Sequence, residues 1–258
     1  MKITVKRALE SYELALENQR LLKELRAKNA HLEASLRKVE LLENVKRHLS
    51  MFVPQSVKRI IEENPIFPVL DKREKDVSIL FLDIIGYTRL SESMDHEKIN
   101  YLVEKYFSSF LEDIYSNHGD INEMAGDGLM MIFQEDDKVM HAVEAVRTAI
   151  GIQQKTVRIN EELRGKFEPI GVKIGINSGM AYVGASKFQA ITGTRWTFTA
   201  SGPTTNLAAR MASLSPRGDV YIGEESAERV RSYFHLELLG EWQLKNVENP
   251  VAMFRVVF

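Results

Sequence analysis

Two aspartates, Asp83 and Asp127, have the sequence surroundings that most favour chemistry in this 258-residue chain. Asp83 ends the apolar run 77–82, which is typical of a buried strand, and a glycine-containing turn that begins a helix follows it. Asp127 stands in an Ala-Gly-Asp-Gly stretch between two apolar runs, a pattern that predicts the tip of a β-hairpin. Backbone N–H groups at a helix start attract phosphate, and a neighbouring carboxylate can hold Mg²⁺ against it. We therefore predict one metal site, with ordinary turn-forming aspartates as the alternative.

A third polar motif lies on a helix that the Gly202-Pro203 pair is expected to begin, because proline is favoured in a first helical turn. Asn206 and Arg210 are four residues apart there, so they share one face of the helix. An amide and a guanidinium in that arrangement suit a ribose and a phosphate. A solvated helix face is the alternative for this motif alone. The three motifs in this order are far more specific than any one of them.

Composition excludes several functional classes. The 34 basic and 36 acidic residues nearly balance, whereas a nucleic-acid surface needs a clustered basic excess, so no nucleic-acid partner is expected. The chain has no cysteine, which excludes disulfides and thiolate metal sites. The longest apolar stretches are strand-sized, far below the roughly 20 residues of a membrane helix. With Met1 leading into Lys-rich helical sequence rather than a signal peptide, we expect a soluble cytoplasmic protein with no membrane partner.

Residues 1–50 differ from the rest of the chain, because they contain neither Gly nor Pro and predict one long helix. Its apolar residues fall on a seven-residue repeat: Leu14, Leu21, Leu25, Leu32, Val39, Leu42 and Leu49. The remaining seam positions are polar: Asn18, Lys28, Ser35 and Lys46. Polar seam residues cost stability but fix register and partner number. We predict a coiled-coil signalling helix in a parallel homodimer, with a solvated single helix packed on the domain as the alternative.

The sequence after this helix divides into a linker and a catalytic region. Pro54 ends the heptad pattern, because proline disfavours the α conformation in the residue before it. Residues 51–73, with a short helix at 55–63, are expected to be a linker or transducer segment. From residue 74 the predicted order is a strand at 77–82, a helix that stops at Gly119, a hairpin at 121–133, a helix at 139–163 and a strand at 170–179. This order matches a split βαβ unit, so 74–258 is predicted to be an α+β, ferredoxin-like sandwich with one sheet face covered by helices.

With its three motifs, the region 74–258 resembles the catalytic domain of class III nucleotidyl cyclases, the family of adenylyl and guanylyl cyclases. The resemblance implies a nucleoside triphosphate substrate and two Mg²⁺ or Mn²⁺ ions per site. Asp83 and Asp127 match the metal-binding aspartates, and the Ile84 carbonyl matches a further ligand. In this family the residues of one site come from both subunits of a head-to-tail dimer. The resemblance therefore implies a homodimer through the catalytic domains as well as through the coiled coil.

Other positions match the family's substrate-binding residues. The backbone of Gly86, Tyr87 and Thr88 resembles the phosphate loop. By the same resemblance, Asn206 would orient the ribose and Arg210 would stabilise the pentavalent phosphorus.

Two lysines are carried over in the same way. Lys245 matches a lysine that binds the triphosphate, although Asn246 replaces the glycine usual at the next position. Lys173 stands where many relatives have an arginine that faces the phosphates.

The positions that would recognise the base depart from the commonest pattern. Adenylyl cyclases usually have a lysine where Glu123 stands and an aspartate where Thr197 stands. A carboxylate accepts hydrogen bonds from the two adjacent donors of guanine, whereas adenine presents an acceptor there. Glu123 therefore favours GTP and the product cGMP. Thr197 is compatible with either base because a hydroxyl both donates and accepts, so conversion of ATP to cAMP is the alternative.

Two other functions share parts of this pattern. A catalytically inactive, nucleotide-binding sensory module is expected to have lost at least one of four residues that this chain retains: Asp83, Asp127, Asn206 and Arg210. A diguanylate cyclase or polymerase palm shares the topology, but the chain has no Gly-Gly-Asp-Glu-Phe turn. Residues 1–25 resemble the last helix of a response-regulator receiver domain, which suggests an upstream receiver or sensor domain in a longer protein.

Overall fold

The computed structural model describes residues 2–190 and 192–258 and divides the chain into two compact units, one ending at Val53 and one beginning at Pro54. The first unit is a single helix, α1 (Lys2–Leu49), as the heptad sequence predicts. The seven apolar seam side chains are 52–66% exposed. Among the described residues, no helix combines the length and apolar character needed to cross a membrane.

The second unit contains, in the described part of the chain, an eight-stranded sheet and six helices. The helices are α2 (Gln55–Glu63), α3 (Tyr87–Ser93), α4 (His96–Ser116), α5 (Lys138–Glu162), α6 (Pro203–Leu214) and α7 (Glu224–Val230). The strands are β1 (Arg73–Ile84), β2 (Asp120–Ala125), β3 (Gly128–Phe133), β4 (Val172–Ala190), β5 (Gly193–Ser201), β6 (Val220–Gly223), β7 (His235–Trp242) and β8 (Val251–Val257). Their order is β2-β3-β1-β4-β6-β8-β7, with β5 paired to β4 outside this path.

The predicted ferredoxin-like core is confirmed in the antiparallel set β2-β3-β1-β4. β1 continues through α3 and α4 into β2, and β3 lies between the two strands, which is the split βαβ arrangement. β4 is longer than the predicted strand at 170–179. It continues past Gly179 to Ala190 because β5 folds back along it as an antiparallel hairpin.

The two faces of the sheet have separate cores. On one face, Leu80 and Leu82 of β1 pack with Phe110 of α4 and Ala149 of α5 in the largest buried cluster. The opposite face buries the alternate β1 residues together with residues of β3 and α6: Val77, Ile79, Met130, Ile132 and Ala208. The helices α4 and α5 thus cover one face as predicted, while α6 packs on the other. Because side chains alternate along a strand, Asp83 belongs to the face on which α6 lies.

Gly175 of β4 sets the close approach of α6 to the sheet. A Cβ atom at this position would lie 2.1 Å from the backbone nitrogen of Ala212 and 2.4 Å from the carbonyl oxygen of Ala208. Both contacts are with the helix backbone, which cannot move aside as a flexible side chain would. Gly175, Ala208 and Ala212 therefore fix the position of the helix that carries Asn206 and Arg210.

Gly175→Ala is expected to lower the free energy of unfolding by about 1–3 kcal/mol, because the added methyl group displaces the backbone of α6. Thermal denaturation followed by circular dichroism measures the change. Val157→Ala, at an exposed position on α5, is the control and should change stability by less than about 0.5 kcal/mol. Equal melting temperatures for Gly175→Ala and wild type would show that the approach of α6 does not depend on this glycine.

Candidate functional site

Asp83 and Asp127 lie beside each other at one end of the central strands. Asp83 is the penultimate residue of β1 and pairs with Gly128 in the β1–β3 ladder. Asp127 occupies the tip between β2 and β3, next to Gly126, whose φ of 60° is in the left-handed region that favours glycine. The N–H of Ile84 donates to the backbone oxygen of Asp127 at 3.1 Å, which ties the tip to the end of β1. The predicted hairpin thus brings the two carboxyl groups together.

The surroundings of Asp83 shift its electrostatics strongly. Burial, the negative charge of Asp127 and a hydrogen bond to that side chain raise the pKa of Asp83 from 3.8 to about 6, against the opposing effects of Lys173 and the Ile84 N–H. Two half-buried carboxylates close enough to share a hydrogen bond repel each other when both are ionised. A divalent cation between them would relieve this repulsion, so the pair fits a metal site.

Lys173 is the cationic neighbour of this pair. It pairs with Asp83 in the β1–β4 ladder, and its Nζ donates to the carbonyl oxygen of Ser213 at 3.3 Å. No group of three or more His, Cys, Asp or Glu side chains suited to a metal occurs within residues 2–190 and 192–258. The acidic part of the site is therefore the Asp83–Asp127 pair, with one lysine beside it.

A cleft of about 230 Å³ places Glu123 on the same surface as Asp83. Residues of β1, β2 and β3 line one side of it, and Ala209, Ala212 and Ser213 of α6 line the other. Glu123 is exposed on β2, four residues before Asp127. A group bound at the two aspartates can therefore extend along the cleft toward Glu123.

Glu123 is hydrogen-bonded to Thr199, a residue that the sequence interpretation did not select. The Thr199 hydroxyl donates to Oε1 of Glu123 at 2.6 Å. Thr197, the predicted base-recognising residue, is exposed two residues earlier on β5, opposite Ser186 of β4. Both threonines project from the same face of β5, so sequence alternation could not distinguish them. The structure brings Thr199, not Thr197, to Glu123. We call Glu123 and Thr199 the base-recognition pair, after the role that we propose for them.

Asn206 and Arg210 lie on α6, which begins at Pro203 as predicted. Asn206 is exposed, and Arg210 is half-buried. The Nε atom of Arg210 is buried without a hydrogen-bond partner among the described residues. Among those same residues, neither Asn206 nor Arg210 lines the cleft that Asp83 and Glu123 share. Of the predicted site residues in the described part of the chain, Asp83 and Glu123 are the two that line this cleft.

The predicted phosphate loop forms the start of α3. Gly86 has a φ of 75° and precedes the helix, whose first residues are Tyr87 and Thr88. The first backbone hydrogen bond of this turn runs from the Leu90 N–H to the Gly86 oxygen. N–H groups in a first helical turn have no intrahelical acceptor, so those of Tyr87 and Thr88 can donate to an anion.

Lys245 is exposed in the loop after β7. The following residue, Asn246, has a φ of 57°, which is in the left-handed region. Asparagine adopts this conformation more readily than most residues other than glycine. Asn246 therefore adopts at this turn the left-handed conformation that glycine also adopts readily.

Asp83→Asn is expected to stabilise the metal-free protein above about pH 6. The folded-state pKa is raised from 3.8 to about 6, so the contribution of Asp83 to stability is fully present below 3.8 and is lost as the pH rises through about 6. Asparagine stays neutral and avoids that loss. Melting temperatures in chelator at about pH 7.5 and about pH 5 should show a larger advantage of the variant at the higher pH.

Asp136→Asn, at an exposed loop position, is the control for removal of one negative charge. The same pH dependence of the melting temperature in wild type and Asp83→Asn would contradict the electrostatic interpretation. A second measurement adds Mg²⁺ or Mn²⁺, which should raise the melting temperature of wild type more than that of the variant.

Comparison with known proteins places this site in a family. Adenylate cyclase 1 of Rhizobium meliloti (strain 1021) is 26% identical over 168 residues, which are 64% of this chain and 25% of that protein. The adenylyl cyclase CyaB from P. aeruginosa superposes with a TM-score of 0.66 at 27% identity, over 73% of this chain and 97% of that one. The guanylyl cyclase Cya2 has a TM-score of 0.64 at 25% identity, over 72% and 94% of the two chains.

The Rhizobium protein and two further curated relatives are much longer than this chain, which spans 25%, 10% and 28% of their lengths. The model of the adenylate and guanylate cyclase catalytic domain matches residues 69–257, which include every residue of the site described above. The chain therefore belongs to the family of adenylate and guanylate cyclase catalytic domains.

Proposed function

We propose that this chain is a nucleotidyl cyclase, which converts a nucleoside triphosphate into a 3′,5′-cyclic nucleotide and pyrophosphate. The observation that carries the proposal is the pairing of Asp83 and Asp127 at one end of the sheet, within a cyclase-family domain. In this reaction the ribose 3′-hydroxyl attacks the α-phosphorus, a P–O bond forms, and the bond to the departing pyrophosphate breaks. The protein must hold the triphosphate, orient the ribose and stabilise the charge that develops.

Asp83 and Asp127, with the Ile84 carbonyl, are the groups that would hold two Mg²⁺ or Mn²⁺ ions. Such ions supply activation of the attacking hydroxyl and neutralisation of the leaving group. A pair of carboxylates is sufficient, because Mg²⁺ commonly binds through one or two carboxylates with phosphates and water as its other ligands. Asp83 must be deprotonated to bind a metal, and its raised pKa couples metal binding to proton release.

The triphosphate would bind beside these carboxylates. The first-turn N–H groups of Tyr87 and Thr88 come three and four residues after Ile84, the last residue of β1. Lys173, paired with Asp83 across the ladder, adds a positive charge at the same end of the sheet. Lys245 would contribute a further positive charge from the loop after β7. Each of these groups stabilises negative charge on phosphate oxygens.

We further propose that Asn206 and Arg210 complete the site of a second subunit in a head-to-tail homodimer. Asn206 is exposed, and the buried Nε atom of Arg210 has no hydrogen-bond partner in the described part of the chain. In a dimer, Asn206 would orient the ribose, and Arg210 would stabilise the charge on the transferred phosphorus. Removal of such a charge-stabilising donor typically costs about 10²- to 10³-fold in rate.

Exposed apolar surface supports dimer formation in each unit. The β4–β5 hairpin exposes Tyr182 and Phe188 on one face and Trp196 on the other, each 47–61% exposed. A contiguous exposed apolar patch marks an interaction surface, and a second subunit on this hairpin would bury these side chains. In the first unit, the exposed leucine seam of α1 would be buried by a second copy of the helix in a parallel coiled coil.

Glu123 favours guanine as the base. An ionised carboxylate accepts from the ring N–H and the amino group of guanine, whereas adenine presents a lone pair on the same edge. Thr199 orients the carboxylate through its hydrogen bond. Adenylyl cyclase activity is the second candidate, because the Thr199 hydroxyl can also accept from the adenine amino group, and the Rhizobium relative is named an adenylate cyclase.

The substrate is tested by incubating the purified protein with GTP or ATP, each with Mg²⁺ or Mn²⁺, and quantifying cyclic nucleotide by chromatography. We expect kcat/KM for GTP to exceed that for ATP by about tenfold to a few hundredfold, the effect of leaving a charged acceptor unpaired. Glu123→Lys should move the preference toward ATP. Glu241→Lys, on the exposed part of β7, makes the same charge change away from the cleft and should leave the preference unaltered.

If wild type converts ATP as well as GTP, Glu123 does not recognise the base and the adenylyl cyclase candidate replaces the guanylyl one. Absence of any cyclic product with either nucleotide and either metal would contradict the cyclase proposal itself.

Shared sites are tested by mixing two inactive variants, Asp83→Ala and Arg210→Ala. After subunit exchange, half of the dimers are mixed and each has one intact site, so activity should return to about a quarter of the wild-type value. A mixture of Asp83→Ala and Asp127→Ala is the control and should stay inactive, since both missing carboxylates belong to the same half of the site. Failure of the first mixture to recover, with exchange demonstrated, would contradict a site shared between subunits.

A further inference from the structure

Residues 54–72, which we call the bridging segment, connect the two strands that carry the base-recognition pair. The segment contains α2 and the chain between α2 and β1. Its first residues are bonded to β2, and its last residues are bonded to β4 and β5. Glu123 lies on β2 and Thr199 on β5. The segment therefore forms a second connection between these strands, in addition to the hydrogen bond between Glu123 and Thr199.

Asp120 makes the first connection. Its carboxylate accepts from the backbone N–H of Gln55 at 2.7 Å and from that of Ser56 at 2.9 Å. Asp120 is the first residue of β2 and is 5% exposed. A carboxylate that receives two N–H groups at a helix N-terminus makes charge-assisted hydrogen bonds, which are stronger than neutral ones. The start of α2 is thus fastened to β2 three residues before Glu123.

Leu70 and Lys72 make the second connection. The N–H of Ala185 on β4 donates to the Leu70 oxygen at 2.6 Å. The Nζ of Lys72 donates to the Ser201 hydroxyl at 3.0 Å, two residues after Thr199. The segment also crosses closely over Gly184, where a Cβ atom would lie 2.6 Å from the Lys72 Cα. Close backbone contact leaves this end of the segment little freedom to move.

β2 and β5 need such support because each is paired along one side only in the part of the chain that the structure describes. β2 pairs with β3, and β5 pairs with β4. A strand bonded along one edge is held less firmly than a central strand. The separation between Glu123 and Thr199 is therefore not fixed by the sheet ladder itself.

We propose that the bridging segment sets the separation of Glu123 and Thr199, and that Asp120 is a positioning residue for base recognition. This proposal rests on the proposed function for its role in substrate choice. Recognition of a base edge requires a donor and an acceptor held at fixed positions before the substrate binds. Release of the Asp120 anchor lets β2 move relative to β5, so Glu123 no longer meets the guanine edge in one geometry.

Asp120 could act only locally, by capping α2. Asp137, which caps another helix, provides the control for that role. The Asp137 carboxylate accepts from the N–H groups of Val139 and Met140 at the start of α5, so it makes the same kind of cap. Both its partners belong to the helix that follows it in sequence. Asp137→Ala therefore removes a cap without releasing β2.

The experiment compares Asp120→Ala, Asp120→Asn and Asp137→Ala in the full chain. Asp120→Ala should reduce the ratio of kcat/KM for GTP to that for ATP by about three- to tenfold, the effect of a weakened hydrogen bond to the base. Asp120→Asn keeps one acceptor oxygen and should restore part of the ratio. Asp137→Ala should lower the melting temperature but leave the ratio unchanged. An unchanged ratio in folded Asp120→Ala protein overturns the proposal.

The second anchor provides an independent variant. Ser201→Ala removes the acceptor of Lys72 and should reduce the same ratio. If both anchors act through one segment, Asp120→Ala and Ser201→Ala together should have less than the sum of their separate effects, expressed as free energies. Fully additive effects contradict a single bridging segment.

Amide hydrogen exchange on the nucleotide-free protein separates this proposal from the cyclase proposal. Asp120→Ala should increase exchange in β2 and also in β5, although the described hydrogen bonds of the Asp120 carboxylate go to Gln55 and Ser56, whereas Asp137→Ala should increase it in neither. If wild type makes no cyclic nucleotide but this pattern is found, the cyclase proposal fails and the bridging role stands. Increased exchange confined to α2 and β2 overturns the bridging role, whatever the enzyme activity.

Discussion

The repulsion between the carboxylates of Asp83 and Asp127 is the constraint on which the site depends. Burial first, and the charge of Asp127 second, make the ionised form of Asp83 unfavourable and raise its pKa, so the fold must hold the pair in place. It does so with the most firmly bound part of the sheet, because β1 is paired with β3 on one side and β4 on the other. The hydrogen bond from Ile84 to the Asp127 backbone fastens the hairpin tip to this strand. Packing energy of the two cores thus offsets the electrostatic cost of the pair.

Much of the fold could be predicted from the sequence because its signals are local. The heptad spacing of α1, the apolar run of β1 and the proline at the start of α6 each determine one element from neighbouring residues. The extension of β4 to Ala190 was missed because it depends on pairing with β5, which follows later in the chain. The packing of α6 on the second face was missed for a similar reason. It requires Gly175 to lie beneath Ala208 and Ala212, a contact between distant segments.

Some residues of the candidate site could likewise be predicted from local sequence, and others depend on contacts between distant segments. The meeting of Asp83 with Asp127 could be predicted because a hairpin tip and a strand end leave few other arrangements. Thr199 could not be distinguished from Thr197, since both lie on one face of β5 and only the approach of β2 to β5 selects between them. The sequence around Asp120 does not indicate a positioning role, because an aspartate after glycine is typical of a turn. Its bonds to Gln55 and Ser56 join segments 65 and 64 residues apart.

The arrangement of strands separates two requirements of the proposed enzyme. Asp83 and Asp127, which we propose hold the metal, lie at the end of the central strand, where two ladders resist local opening. The base-recognition pair lies on β2 and β5, each held along one edge in the described chain and connected through residues 54–72. A shift of that segment would alter the contact between Glu123 and Thr199 before it disturbs Asp83. The strand pairing therefore allows the contact between Glu123 and Thr199 to change while Asp83 and Asp127 stay in place.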